Sequence, residues 1–87
     1  MKDVFVVSAV RTAVGKQKGY FREYLAPELL GLVLDASVER IGLDPSLVDD
    51  VIAGCVYQVG EQAFTLARMG VLASKLPETL GGITVNR

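Results

Sequence analysis

Ile83-Thr84-Val85-Asn86-Arg87, entered through Gly81-Gly82, reads as a β-branched strand that a glycine pair turns into place. Two other runs share its character. Val4-Phe5-Val6-Val7 with Ala9-Val10 is almost unbroken in its apolarity, and so is Val51-Ile52-Ala53-Gly54-Cys55-Val56. Runs without polar alternation are the mark of strands buried on both faces of a parallel sheet. Helical periodicity occupies the two intervals between them. The order strand, helix, strand, helix, strand predicts an α/β fold with a mostly parallel sheet.

The first helix is expected to open at Pro27, whose fixed φ suits the first helical position, with Glu28 placed well for the N-terminal dipole. Leu30, Val33, Leu34, Ser37, Val38 and Ile41 recur at three- and four-residue spacing and make a core-facing stripe. Arg40 suits the last turn, and Gly42 supplies the left-handed residue that ends the helix. Asp44-Pro45 reads as the N-cap and first position of one short turn through Val48. The second helix is expected over about residues 63–75, with Phe64, Ala67, Val71 and Leu72 on its apolar face. Gly70 would permit a close approach there, and Pro77 forbids continuation. From Arg11 to Ala26 the chain is rich in glycine and charge, and reads as a long ordered loop pinned by Tyr20, Phe21 and Tyr24.

Such a layout has a consequence for burial. Strand-helix-strand crossovers are right-handed almost without exception. Strands added successively in the order 3-2-1 therefore put both helices on one sheet face. The other face is left bare although the strands are apolar on both sides, so something outside these residues is expected to cover it.

The 87 residues make at most one small domain, burying roughly 60% of the surface of the unfolded chain. Half of them are hydrophobic, which fits a core-rich portion of something larger. Nine basic and ten acidic residues give a net charge of −1, so no long-range field recruits nucleic acid or an anionic membrane. Arg11, Lys16, Lys18 and Arg22 form a local basic cluster that could meet a phosphate but reads first as a solvated loop. One cysteine excludes an intrachain disulfide and fits a reducing compartment. No signal-peptide pattern opens the chain, and no run approaches the ~18 apolar residues of a membrane span. A cytoplasmic location is the expectation.

Candidate chemical groups are few. Gly15-Lys16 suggests a phosphate loop, but that motif needs a glycine where Val10 stands and Ser or Thr where Gln17 stands. Arg11 and Thr12 fall at the carboxyl end of the first strand, where open α/β sheets handle ligands; bracing and capping their own loop is the simpler role. Cys55 sits in an apolar strand, where burial silences a thiol, and the chain has no histidine to activate it. Asp49 and Asp50 are neighbours on a strand approach, so their side chains diverge. One cysteine and scattered carboxylates make no metal-ligand set. No catalytic, cofactor-binding or metal-binding residue is therefore assigned within residues 1–87.

Four segments taken in series resemble the thiolase family. Val7-Ser8-Ala9-Val10-Arg11-Thr12-Ala13-Val14-Gly15-Lys16 is similar to its opening strand and the loop after it. Val48 through Val56 resembles its second strand, and Gln58-Val59-Gly60-Glu61-Gln62 with Leu66-Ala67-Arg68 the loop and helix that follow. Gly82 through Arg87 resembles the approach to the family's nucleophilic cysteine, with Gly81 standing where proline is common. The resemblance implies the first part of the N-terminal half of a layered α/β/α/β/α enzyme, ending two positions before that cysteine. It implies reversible Claisen condensation of acyl-CoA thioesters, or cleavage of 3-ketoacyl-CoA by CoA, in a homodimer or homotetramer. No cofactor beyond the CoA thioester substrates, no nucleic acid and no membrane partner is implied. The third strand would lie close to the subunit interface, as would the loop from Gln58 to Gln62. The nucleophile, its activating histidine and a second cysteine would all lie outside residues 1–87, so the 87-residue chain alone is expected to be inactive scaffold. A non-catalytic fragment or paralogue that acts only by association with a partner is the alternative.

Overall fold

The computed structural model describes residues 2–87. Four elements organise them: α1 (Ala26–Glu39), β1 (Val51–Gly54), α2 (Leu66–Ala73) and β2 (Gly82–Val85), with short 3-10 turns at Pro45–Leu47 and Gly60–Gln62. None of the helices is long and apolar enough to cross a membrane.

Both ends of α1 are closed by identifiable groups. Leu25 precedes it in extended conformation and offers no side-chain cap. The Ala26 N–H instead donates to the carboxylate of Glu61, 2.7 Å away and 35 residues on. A carboxylate there satisfies an orphan donor and faces the positive end of the helix dipole. At the other end Gly42 takes φ +63°. Its N–H donates to the Glu39 carbonyl, and the Leu43 N–H donates to that of Val38. This paired closure is the Schellman motif, and it requires the left-handed residue that the sequence puts there. The Asp44 carboxylate then accepts the Ser46 N–H at 3.0 Å and opens the first 3-10 turn. The Ser46 backbone first, and its side chain second, hold the Asp44 carboxyl below its ordinary 3.8.

β1 and β2 pair in parallel, with Val51 opposite Gly82 and Gly54 opposite Val85. The Cys55 N–H extends the ladder to the Val85 carbonyl at 2.9 Å. α2 is the crossover helix and lies on one face of this sheet. Val51, Ala67, Val71, Leu76 and Leu80 form the buried core between them, and Leu34 and Val38 of α1 reach it from the same side. Two glycines let the helices meet. A Cβ on Gly31 would stand 3.1 Å from the Ala73 carbonyl carbon, and one on Gly70 would stand 2.5 Å from Leu30 Cδ2.

With both helices on one side, the opposite face of the sheet is apolar and bare. Ile52, Val56, Ile83 and Val85 all point into it and are exposed. A bare sheet face is thus observed as expected, but by a different route: with no strand before α1 among the described residues, that helix is not a crossover and the order 3-2-1 does not form.

Four local expectations need correction. The run from Val4 to Val10 forms no strand, and Val4 is 94% exposed. Its apolarity signals a wish for burial on two faces, but pairing is non-local. The one inner edge open to it is the four residues of β1, with a helical layer on one side alone. Strands β1 and β2 are shorter than the runs that announced them, and each alternates: Val51 and Cys55 are buried while Ile52 and Val56 are not. The second helix starts at Leu66, because residues 60–62 wind as a 3-10 turn and Thr65 is left-handed at φ 49°. Its buried face is consequently Leu66, Ala67, Gly70 and Val71, whereas Phe64 falls in the turn before it and is 78% exposed, and Leu72 lies on its flank. In the loop, Phe21 and Tyr24 meet edge to face at 6.1 Å and Phe21 covers Gly15, but Tyr20 is free of the packing at 99% exposure.

The Gly70–Leu30 contact generates a double-variant test. Alanine is the better helix former by about 1 kcal/mol, yet Gly70→Ala is expected to lower stability by about 1–3 kcal/mol in denaturant unfolding of the whole protein, through overpacking against Leu30. Made on a Leu30→Ala background, which removes the two nearest atoms, the same change is expected to cost clearly less. Destabilisation of similar size in both backgrounds contradicts this account of the helix contact.

Candidate functional site

Parallel strands bring their carboxyl ends to one edge of the sheet, the usual ligand-handling edge of α/β proteins. Here that edge gathers the residues after β1, Cys55 to Gln58, and those after β2, Asn86 and Arg87. The first of these turns is held by amide side chains. Gln58 Nε2 donates to the Cys55 carbonyl at 3.2 Å, and Gln62 Nε2 donates to that of Tyr57.

β2 is held more tightly still, by the first turn of α2. Gly82 lies directly under that turn: a Cβ there would stand 2.8 Å from the Arg68 nitrogen and 2.9 Å from the Ala67 carbonyl carbon. No side chain fits between two backbones at that separation, so glycine is required by space alone. Two residues along the same face, Thr84 Oγ1 accepts the Ala67 N–H at 3.1 Å. That hydroxyl caps an N-terminal donor of α2, whose own preceding residue, Thr65, supplies no cap. Arg68 completes the grip, its guanidinium donating to the carbonyls of Glu78 and Leu80 in the turn that leads into β2. The strand is therefore fixed in height by Gly82, in register by Thr84 and in its approach by Arg68.

The tempting reactive groups stand elsewhere. Cys55 is 8% exposed, and its thiol donates to the Tyr57 carbonyl at 3.6 Å. It points into the covered side of the sheet, with Val51, and has no base beside it. Arg11 is exposed and donates to the Thr12 carbonyl at a long 3.4 Å. Asp50 accepts the Val51 N–H at 2.9 Å and so starts β1, while Asp49 turns to a shallow polar depression beside Ser46 and Thr79. No three histidine, cysteine or carboxylate side chains converge among the described residues. Arg68, Gly82 and Thr84 were visible in the sequence as parts of two separate motifs, but nothing in either motif announces that they touch.

A family model described as the N-terminal domain of thiolase matches residues 4–87. A steroid 3-ketoacyl-CoA thiolase of Mycobacterium tuberculosis is 44% identical over 87 residues, covering 100% of this chain and 21% of its own length. A 3-ketoacyl-CoA thiolase of Shewanella denitrificans is 44% identical over 92 residues, covering 100% of this chain and 23% of its own. One from Psychrobacter arcticus is 45% identical over 87 residues, covering 99% and 22% respectively. The chain thus spans about a fifth of the length of the curated relatives it matches.

The hydroxyl of Thr84 provides the sharpest test of the grip on β2. Thr84→Val keeps the shape and removes the acceptor, and is expected to cost about 0.5–2 kcal/mol in urea unfolding of the whole protein, the range of a lost N-cap. Thr84→Ser is expected to recover most of that. Equal stabilities for the two variants would show that the hydroxyl contributes nothing.

Proposed function

This chain belongs to the thiolase family, and we propose that the whole protein of which it forms part is an acyltransferase. Its reaction is reversible Claisen chemistry on coenzyme A thioesters. In the cleavage direction a cysteine thiolate attacks the ketone carbon of a 3-ketoacyl-CoA. The carbon–carbon bond breaks, an acyl-CoA enolate leaves and takes up a proton, and the acyl-enzyme is then released to free CoA thiol. The observation that carries this reading is the match along residues 4–87, coupled to the physical function of its last motif. Gly82 and Thr84 are the residues that fasten β2 to α2.

The part played by residues 1–87 is positional. An acyl-transfer site needs its nucleophile and oxyanion donors held to within a fraction of an ångström. A strand clamped at two successive inward positions is a suitable foundation for a group set at its carboxyl end. None of the family's catalytic groups lies among these residues, and Cys55 serves packing. We place the nucleophile after Arg87. Coenzyme A thioesters are the substrates in this reading, with no further cofactor, nucleic acid or membrane. The protein works in the cytoplasm, in fatty-acid metabolism. Association of identical subunits through β2 fits its open outer edge and the exposed Ile83 and Val85 beside it.

Thiolysis supplies the test. With acetoacetyl-CoA and CoA, the whole protein is expected to consume the 3-ketoacyl thioester, and the isolated 87-residue chain to consume none. Cys55→Ala in the whole protein is expected to retain most turnover. Activity of the isolated chain, or complete loss on Cys55→Ala with folding intact, contradicts the proposal.

A further inference from the structure

The loop before α1 carries an arrangement that its composition did not settle. Residues 17–23 wind into consecutive turns, closed by the Gly19 N–H on the Lys16 carbonyl at 2.9 Å, Arg22 N–H on Gly19 at 3.2 Å and Tyr24 N–H on Phe21 at 3.0 Å. This winding places Lys16, Lys18 and Arg22 around one open surface cavity of about 480 Å³, with Tyr20 and Tyr24 on its rim. Glu23 is the one carboxylate in its lining, against three cations. Among the described residues the one ion pair lies far away, between Lys75 and Glu39, so none of the three cations is neutralised by a partner.

Three features show that the loop is held in this form rather than merely solvated. Lys18 adopts φ 60°, a left-handed conformation that an L residue with a long side chain takes at a cost. Gly19 sits where a Cβ would come within 2.9 Å of both the Lys16 side chain and the Lys16 carbonyl oxygen, so the turn is wound down onto Lys16. The far side is anchored by Phe21 against Gly15 and against the Tyr24 ring. Three like charges around one cavity repel each other, and a bound anion removes that repulsion while taking charge-assisted hydrogen bonds.

The geometry points to an anion site in the loop of residues 16–24, for a phosphorylated small molecule. Lys16, Lys18 and Arg22 supply the positive charge, with Arg22 able to grip two phosphate oxygens at once. Tyr20, almost wholly exposed, and Tyr24, whose ring also meets Phe21, line the same cavity and put aromatic surface beside the cations. A free phosphate or diphosphate and the phosphorylated end of a nucleotide share this chemistry. The rings distinguish them, because only a nucleotide has a base to stack.

The test is titration of the whole protein with inorganic pyrophosphate and, separately, with adenosine 3′,5′-bisphosphate, at low and moderate salt. Saturable pyrophosphate binding is expected, weakening with salt. K16Q/K18Q/R22Q is expected to weaken it at least tenfold. Lys75→Gln, a change of the same sign at a remote exposed ion pair, is expected to weaken it less than twofold. Since the three side chains are exposed, the triple variant is expected to unfold at an unchanged temperature. Lys18→Gly separates binding from folding: it relieves the left-handed strain and removes a charge, so Tm is expected to hold or rise while affinity falls. Tighter binding of the bisphosphate, lost on Tyr20→Leu, identifies a nucleotide as the ligand; equal binding identifies the phosphate alone. Absence of saturable binding, or equal affinity in wild type and triple variant, overturns the proposal.

Discussion

The architecture turns on the contact between the first turn of α2 and β2. Gly82 brings strand and helix backbones to a separation that excludes a Cβ, and Thr84 converts that proximity into a hydrogen bond on Ala67. Arg68, from the same turn, ties down the carbonyls of the segment entering the strand. With β2 held this way, the parallel register against β1 follows, and Val71 and Ala67 are sealed completely beneath it. α1 then has a surface to close on, which it does through the two close approaches at Gly31 and Gly70. A four-residue parallel pair has little stability of its own. It persists here because a helix grips one of its strands.

All of that burial is on one side. The core lies between the sheet and the helices, and the reverse face carries Ile52, Val56, Ile83 and Val85 into solvent. Parallel sheets in α/β proteins are covered on both faces. The apolar run from Val4 to Val10 makes the same demand, since Val4 to Val7 are all exposed for want of a layer to enter. Both features suit a unit that is one layer of a larger assembly, and the chain's coverage of about a fifth of its relatives is in keeping with that.

What could be read from the sequence was whatever is encoded locally. Gly42 announced the end of α1 because a left-handed residue is needed there, and Asp44-Pro45 announced a capped turn. The burial of Cys55 followed from its apolar neighbours. What could not be read depends on distant partners. The helix start moved to Leu66 because Thr65 adopts a left-handed conformation that threonine does not advertise. That shift altered which residues face the core. The caps from Glu61 on Ala26 and from Thr84 on Ala67 join residues 35 and 17 apart, and no spacing rule connects them. The same holds for the run from Val4 to Val10, whose residues have strand character but do not pair with the short open edge of β1. Motif resemblance singled out the segments that hold Arg68, Gly82 and Thr84, but their contact came only from the structure.

Amide hydrogen exchange on the whole protein, resolved to single residues, tests the grip of α2 on β2 most directly. The Ala67 N–H lies in the first turn of its helix, where amides ordinarily exchange fast for lack of an intrahelical acceptor. If Thr84 holds it as described, Ala67 will exchange as slowly as Val71 in the helix interior and Cys55 in the ladder. Exchange of Ala67 at the rate of the exposed turn residues 17–23, with Val71 still protected, would contradict the account.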